Sequence, residues 1–264
     1  MAAEKGLTRR LSQPLAGYIP TFSLLKYIHF KPALLSPAVA DLVLVRRTTR
    51  RGPSTMITAL EALARLRDGN RRFATNQPTA LALSNHARRA ALVAGQEPFA
   101  IVLGCSDSRV PAELVFDQGF GDLFVIRVAG NIVAPSQVGS VEFAAARFGT
   151  RLVVVMGHSQ CGAVIATVEE LLGHASNQSR NLRSIVDRVR PSVEALLSGR
   201  REEDAEALVR DAVRANVRAS VNHLRHGSEL LEQLIRNDGL LVVGAEYSLE
   251  TGIVTFFEGV SDAG

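Results

Sequence analysis

Three short apolar runs constrain this chain more than any other feature: Phe99-Ala-Ile-Val-Leu-Gly104, Leu123-Phe-Val-Ile-Arg-Val128 and Arg151-Leu-Val-Val-Val-Met-Gly157. None alternates polar with apolar residues, so each reads as a strand buried on both faces, the pattern of a parallel sheet covered by helices. Between the second and third, Val138 to Phe148 puts Val141, Ala144, Ala145 and Phe148 on one helical face, a crossover of the right length. Farther on, about Leu182 to Leu197 and Ala205 to Arg236 are helical stretches rich in Arg and Glu with interleaved Val and Leu. Leu240–Tyr247 and Ile253–Phe257, joined through Glu250-Thr251-Gly252, form an expected edge hairpin. The expected fold class is α/β, a mostly parallel central sheet flanked by helices, with a carboxyl-terminal edge strand.

The folded domain is expected to begin at Met56 and run to residue 264. Thr58-x-x-Glu61 is a capping box, and Leu60, Leu63, Ala64 and Arg67 follow at helical spacing as far as Gly69; a second helical stretch covers about Ala87 to Ala94. Residues 1–55 are different in texture. The first 53 carry nine Lys/Arg against two acids and five of the ten prolines, with no sustained period. They read as a basic, Pro-rich extension: a targeting segment, for which Ala38-Val39-Ala40 resembles a signal-peptidase site, or a disordered tail, or an over-extended reading frame with initiation at Met56. The apolar part is broken by Lys31, Pro32 and Pro37, which weakens the targeting reading. The chain is accordingly expected to be cytoplasmic, with an organellar or exported location as the alternative if the extension is cleaved.

Composition then removes function classes. The net charge of +4 resolves into +7 on the first 53 residues and −3 on the rest, so no basic nucleic-acid face is expected on the main domain. No run of 18 apolar residues occurs, which excludes a helical membrane span. Hydrophobic residues make up 47% of the 264, enough for a sizeable core. The two cysteines, Cys105 and Cys161, are too few to staple a scaffold of this size and require another explanation.

That explanation lies at the strand ends. The first run closes in Gly104-Cys105-Ser-Asp107-Ser-Arg109 and the third in Gly157-His158-Ser-Gln-Cys161-Gly162, so both cysteines and a histidine fall just beyond the carboxyl ends of parallel strands, the ligand-binding rim of open α/β sheets. Two thiolates and an imidazole are three good zinc ligands, leaving a fourth position for water or a carboxylate. Taken singly, each is as well explained as a small buried thiol or a satisfied core histidine, and a Cys105–Cys161 disulfide is a further alternative. It is their joint placement that points to a metal. The other five histidines, His29, His86, His174, His223 and His226, have no partner at ligand spacing.

At these residues the sequence resembles the β-class carbonic anhydrases. The match runs through Cys105-Ser-Asp107-Ser-Arg109-Val-Pro, Phe124-Val-Ile-Arg127-Val-Ala-Gly-Asn131, Gly139-Ser-Val-Glu-Phe143 and Gly157-His158-Ser-Gln-Cys161-Gly, and extends in looser form from about Met56 to Phe257. The resemblance implies reversible hydration of CO2 to bicarbonate and a proton by zinc-bound hydroxide, with zinc on Cys105, His158 and Cys161. It makes Asp107 the orienting acceptor for that hydroxide, or a fourth zinc ligand in a closed state, and Arg109 the group that holds Asp107 off the metal. It also implies a homodimer or homotetramer with the active site at the subunit interface, and an amino-terminal helical arm that Leu24, Leu25, Ile28 and Phe30 would extend.

For substrate, the resemblance puts Gln96 where plant-like members hydrogen-bond CO2 or bicarbonate, and Phe124 on an apolar wall of the pocket. Phe143 stands where many members carry tyrosine. Val102 replaces the tryptophan of the bicarbonate-inhibited type, and the chain has no Trp at all, so Arg127 is left without the rest of an inhibitory pocket. Two other functions remain open at this level: hydrolysis of CS2 or COS on the same scaffold, and a non-catalytic zinc- or bicarbonate-binding protein. Asp107, Arg109 and Gln96 argue against the second, because a purely structural zinc needs four closed ligands and none of these groups.

Overall fold

The structure, a computed structural model, describes residues 57–79, 85–174, 179–197 and 205–260. The extension and its expected helical arm, including Leu24, Leu25, Ile28 and Phe30, lie outside the described residues. Helix α1 (Ala59–Ala74) opens on the expected capping box: Thr58 Oγ1 accepts the Glu61 N–H at 3.2 Å, and Glu61 returns a carboxylate oxygen to the Thr58 N–H at 2.7 Å. Gly69 does not stop this helix, contrary to expectation. It lies inside α1 because a Cβ there would sit 1.8 Å from the Phe116 carbonyl oxygen, so the glycine serves close approach and not termination.

The elements that follow are α2 (His86–Leu92), β1 (Ala100–Gly104), α3 (Ala112–Val115), β2 (Leu123–Arg127), a 3₁₀ turn (Ala129–Asn131), α4 (Pro135–Arg147) and β3 (Leu152–His158). Then come α5 (Gly162–Leu171), α6 (Arg180–Leu197), α7 (Ala205–His226), α8 (Glu229–Asn237), β4 (Leu241–Tyr247) and β5 (Val254–Glu258). The single helix expected over 205–236 is two, since the chain breaks at Gly227-Ser228. There Ser228 caps α8 by accepting the Leu231 N–H at 3.2 Å, while its hydroxyl donates to Glu142 at 2.6 Å. Helices α3 and α5 follow directly on the site loops and had no separate periodic signal.

The sheet order is β2-β1-β3-β4-β5, with β5 antiparallel to β4 and every other pairing parallel. The α4 crossover joins β2 to β3, but β1 lies between them. β1 and β3 are buried at every position, as the apolar runs demand. β2 is not: it is an edge strand, with Phe124 and Val125 half-buried and Arg127 exposed. Alternate residues feed two cores, Val102, Val154 and Met156 toward α1 and α3, and Ile101, Leu103, Val153 and Val155 toward α4, α7 and α8. A third apolar cluster holds Cys105 and Cys161 against Val164, Val189 and Val213 at the carboxyl ends of the strands. Among the described residues no helix is long and apolar enough to cross a membrane.

One buried polar side chain ties the first helix to the far edge of the sheet. Asn70, 5% exposed, donates to the carbonyls of Val115 and Gly252 at 3.1 and 2.9 Å and accepts the Val254 N–H at 2.8 Å. Asn70→Ala strands three backbone groups, two of them buried, and is expected to lower stability by about 2 to 4 kcal/mol. Urea unfolding with an unchanged m-value would register this; a loss under ~0.5 kcal/mol would mean water replaces the amide.

Candidate metal centre

Each member of the site is positioned by a strand end or helix start. Cys105 is the first residue past β1, His158 the last of β3, and Cys161 the N-cap of α5. The three-residue spacing from His158 to Cys161 closes only because Gln160 takes a left-handed backbone, φ 55°, unusual for a residue with a Cβ. This turn brings Cys161 Sγ back to 4.0 Å from Cys105 Sγ. Both cysteines are free thiols, so the disulfide alternative is not what the structure contains. Ligand atoms of Cys105, His158 and Cys161 all lie within 4.8 Å of one another, and all three residues are buried.

The histidine is set for ligation by its second nitrogen. His158 Nδ1 lies 2.9 Å from the Ser159 carbonyl, a contact that requires the proton on Nδ1 and leaves the lone pair on Nε2. Nε2 is buried with no hydrogen-bond partner among the described residues. An unsatisfied buried nitrogen facing two sulfurs is costly in an apolar pocket and is satisfied by a soft or borderline metal ion, whose preferred donors are these. The donor set therefore fits zinc.

The two thiols shift in opposite directions. A hydrogen bond from Cys161 is the main reason the Cys105 thiol is held below its ordinary value, with the Gly130 N–H at 3.4 Å adding to it, against the opposing effect of burial. Cys161 is pushed up, because its S–H is held by Cys105 and because it is buried.

Asp107 stands at the open side. Arg109 donates to it three times: Nε to Oδ1 at 2.9 Å, Nη2 to Oδ2 at 2.7 Å, and the backbone N–H to Oδ1 at 2.9 Å. These bonds, the side-chain pair first, hold the Asp107 carboxyl well below the usual carboxylate range. Since the folded value is lowered, the stabilisation is fully present above about pH 4, the ordinary value, and is lost only as pH falls through the lower one. Asp107 Oδ2 lies 3.9 Å from His158 Nε2, so the carboxylate borders the space the ligands enclose. Arg127, assigned in the sequence to a remnant of an inhibitory pocket, spends its guanidinium on the loop itself: Nε donates to the Cys105 carbonyl at 3.0 Å and Nη2 to that of Asp107 at 2.5 Å.

The predicted substrate residues are not gathered at this cluster within one chain. Phe124 is in register with Ile101, four residues along β1 from Cys105, roughly 13 Å at about 3.3 Å per residue. Its ring packs 6.2 Å from that of Phe143, which is 53% exposed on α4. Gln96 is exposed on the loop leading into the opposite end of β1. Val102 is fully buried in β1. Sequence reasoning missed the Gln160 turn, the Gly130 N–H on Cys105 and the Arg127 clamp; only the position of Arg127 at a strand end beside β1 was a signal that could have been read.

Comparison with known proteins gives the family of the chain. A family model described as carbonic anhydrase matches residues 100–254. Carbonic anhydrase 2 of Mycobacterium tuberculosis is 37% identical over 200 residues, 75% of this chain and 93% of that protein. A carbonic anhydrase of Mycolicibacterium smegmatis is 38% identical over 199 residues, with the same two shares. Among solved structures, a tetrameric β-carbonic anhydrase of Sordaria macrospora superposes with a TM-score of 0.58 at 24% identity, over 72% of this chain and 93% of its own, a likeness of fold.

Proposed function

Because this chain belongs to the β-carbonic anhydrase family, we propose that it interconverts CO2 and water with bicarbonate and a proton at a zinc held by Cys105, His158 and Cys161. The observation that carries the reading is the buried, unpartnered His158 Nε2 facing the two sulfurs, with the Asp107 carboxylate 3.9 Å away. When bound, zinc supplies a Lewis acid that brings the pKa of a coordinated water toward neutrality. The rest is done by the chain's own groups.

Asp107 accepts a hydrogen bond from the attacking water and so turns its lone pair toward the CO2 carbon. It orients and does not keep the proton, because Arg109 holds its carboxyl too acidic to act as a base at neutral pH. The bidentate Arg109 fork also keeps the carboxylate from rotating inward toward His158 Nε2. Arg127 fixes the backbone on which Asp107 rides. The aromatic patch of Phe124, Phe143 and Phe148 beside the β2 edge is too far away to wall this chain's own site. The exposure of Phe143 and Gln96, and the tetrameric assembly of the Sordaria protein, support a homo-oligomer in which Gln96, Phe124 and Phe143 line the pocket of a neighbouring subunit.

Stopped-flow CO2 hydration with zinc analysis on one sample tests the proposal: about one zinc per chain and rapid hydration are expected, and a zinc-loaded protein without hydration would overturn it. A further outcome follows from the ligands. With Cys105 and Cys161 both ligating as thiolates, the formal charge of a zinc ion held there would be neutralised and water on it would be less acidic than at a three-histidine site; activity should rise towards pH 8 and above, and a flat profile from about pH 6 to 9 would contradict the ligand set.

A further inference from the structure

Helix α7 carries two buried polar residues that the mechanism above does not use. Asn216 is 2% exposed and Ser220 5%, one helical turn apart on the face turned to the metal centre. A helix built to pack on a sheet gains nothing from an amide and a hydroxyl there unless both are bonded. Both are, and to consecutive carbonyls: Asn216 Nδ2 donates to Gly130 O at 2.8 Å, and Ser220 Oγ to Asn131 O at 3.1 Å.

The carbonyls belong to an unusual turn. Gly130 (φ 69°) and Asn131 (φ 43°) are both left-handed, a conformation that Asn tolerates and most side chains resist. At Gly130 the glycine is required twice over, since a Cβ would also lie 3.0 Å from the Ala163 side chain at the start of α5. The product of this turn is one N–H, that of Gly130, aimed at Cys105 Sγ at 3.4 Å. The same face of α7 also presses on β3 just before His158, where a Cβ at Gly157 would stand 2.7 Å from Val217.

We infer that Asn216, assisted by Ser220, is a positioning residue of the metal centre: by clamping the Gly130-Asn131 carbonyls it holds the Gly130 N–H on the Cys105 sulfur. An N–H on a ligating sulfur withdraws electron density from it and fixes its direction, the kind of outer contact whose loss costs a metal site dearly. The inference rests on the zinc-site reading, and it assigns Asn216 of α7, more than 50 residues beyond Cys161 in sequence, a part in tuning the site through the Gly130 turn.

The test uses the full chain loaded with cobalt(II), whose thiolate-to-metal charge-transfer absorption reports the electron density on sulfur. Asn216→Leu, similar in volume but without a donor, should move that band to lower energy and speed zinc transfer to a chelator about ten-fold. Ser220→Ala should shift both in the same direction by less, and it remains informative if the leucine variant fails to fold. Val221→Ala, a buried change on the same helix away from the turn, should lower the unfolding midpoint and leave the band in place. Superimposable bands and equal transfer rates for native protein, Asn216→Leu and Ser220→Ala would overturn the inference alone, reducing the two residues to helix packing. A native chain that takes up neither cobalt nor zinc would overturn the metal-centre reading and this inference with it.

Discussion

Cys105→Ser, His158→Ala and Cys161→Ser are each expected to take zinc from about one per chain to near zero and CO2 hydration down with it. The three ligand atoms come from three separate elements, the end of β1, the end of β3 and the cap of α5, and lie within 4.8 Å of one another. No other cysteine exists in the chain to substitute. A site reduced to two protein ligands no longer holds the ion, and the Lewis acid is worth several kcal/mol of barrier, so kcat/KM should fall by roughly 10² to 10⁴. Folding must be followed beside metal content, because His158 is fully buried and its truncation leaves a cavity. The serine variants change one atom and carry the argument: if either kept full metal and full rate, the ligand assignment would be wrong.

Arg109→Ala should produce a different signature, zinc retained and kcat/KM lowered by about 100-fold. The arginine side chain is 51% exposed, so its removal leaves no hole in a core. What disappears is the pair of side-chain bonds at 2.9 and 2.7 Å that hold Asp107 in place and keep it a non-basic acceptor. The freed carboxylate is close enough to turn toward the space beside His158 Nε2 and compete with water there. Arg109→Lys should restore little, since a single ammonium cannot reproduce the fork. Steady-state kinetics with elemental analysis separates the cases. Zinc lost in parallel with activity would make Arg109 a structural residue, and a near-native rate would remove Asp107 from the mechanism as well.

Much of the scaffold was legible because its signals are local. Unbroken apolar runs mark strands covered on both faces, and β1 and β3 are buried throughout. The Thr58–Glu61 capping box marks a helix start because both of its bonds close within four residues. Where the signal depended on a distant neighbour, it misled. Gly69 resembles a helix stop, yet what fixes it is the Phe116 carbonyl, nearly fifty residues away. The Leu123–Val128 run resembles a central strand, yet β2 is an edge, and nothing within the run encodes its place in the order β2-β1-β3-β4-β5.

The sequence by itself determined the chemistry: two sulfurs and an imidazole at the carboxyl ends of two buried strands, with an aspartate and an arginine two residues apart beside the first. Spacing suffices there, because an Asp-x-Arg turn lets the arginine backbone and fork reach the same carboxylate. The tertiary structure alone decided how the pieces act on one another. It left the buried His158 Nε2 without a hydrogen-bond partner among the described residues, brought the two sulfurs to a 4.0 Å contact, and turned Arg127 onto the loop carbonyls. It also separated Phe124 and Phe143 from the ligands of their own chain. These outcomes depend on through-space distances between segments dozens of residues apart, set by sheet order and helix packing, and electrostatic and hydrogen-bond energies follow those distances and not separation along the chain.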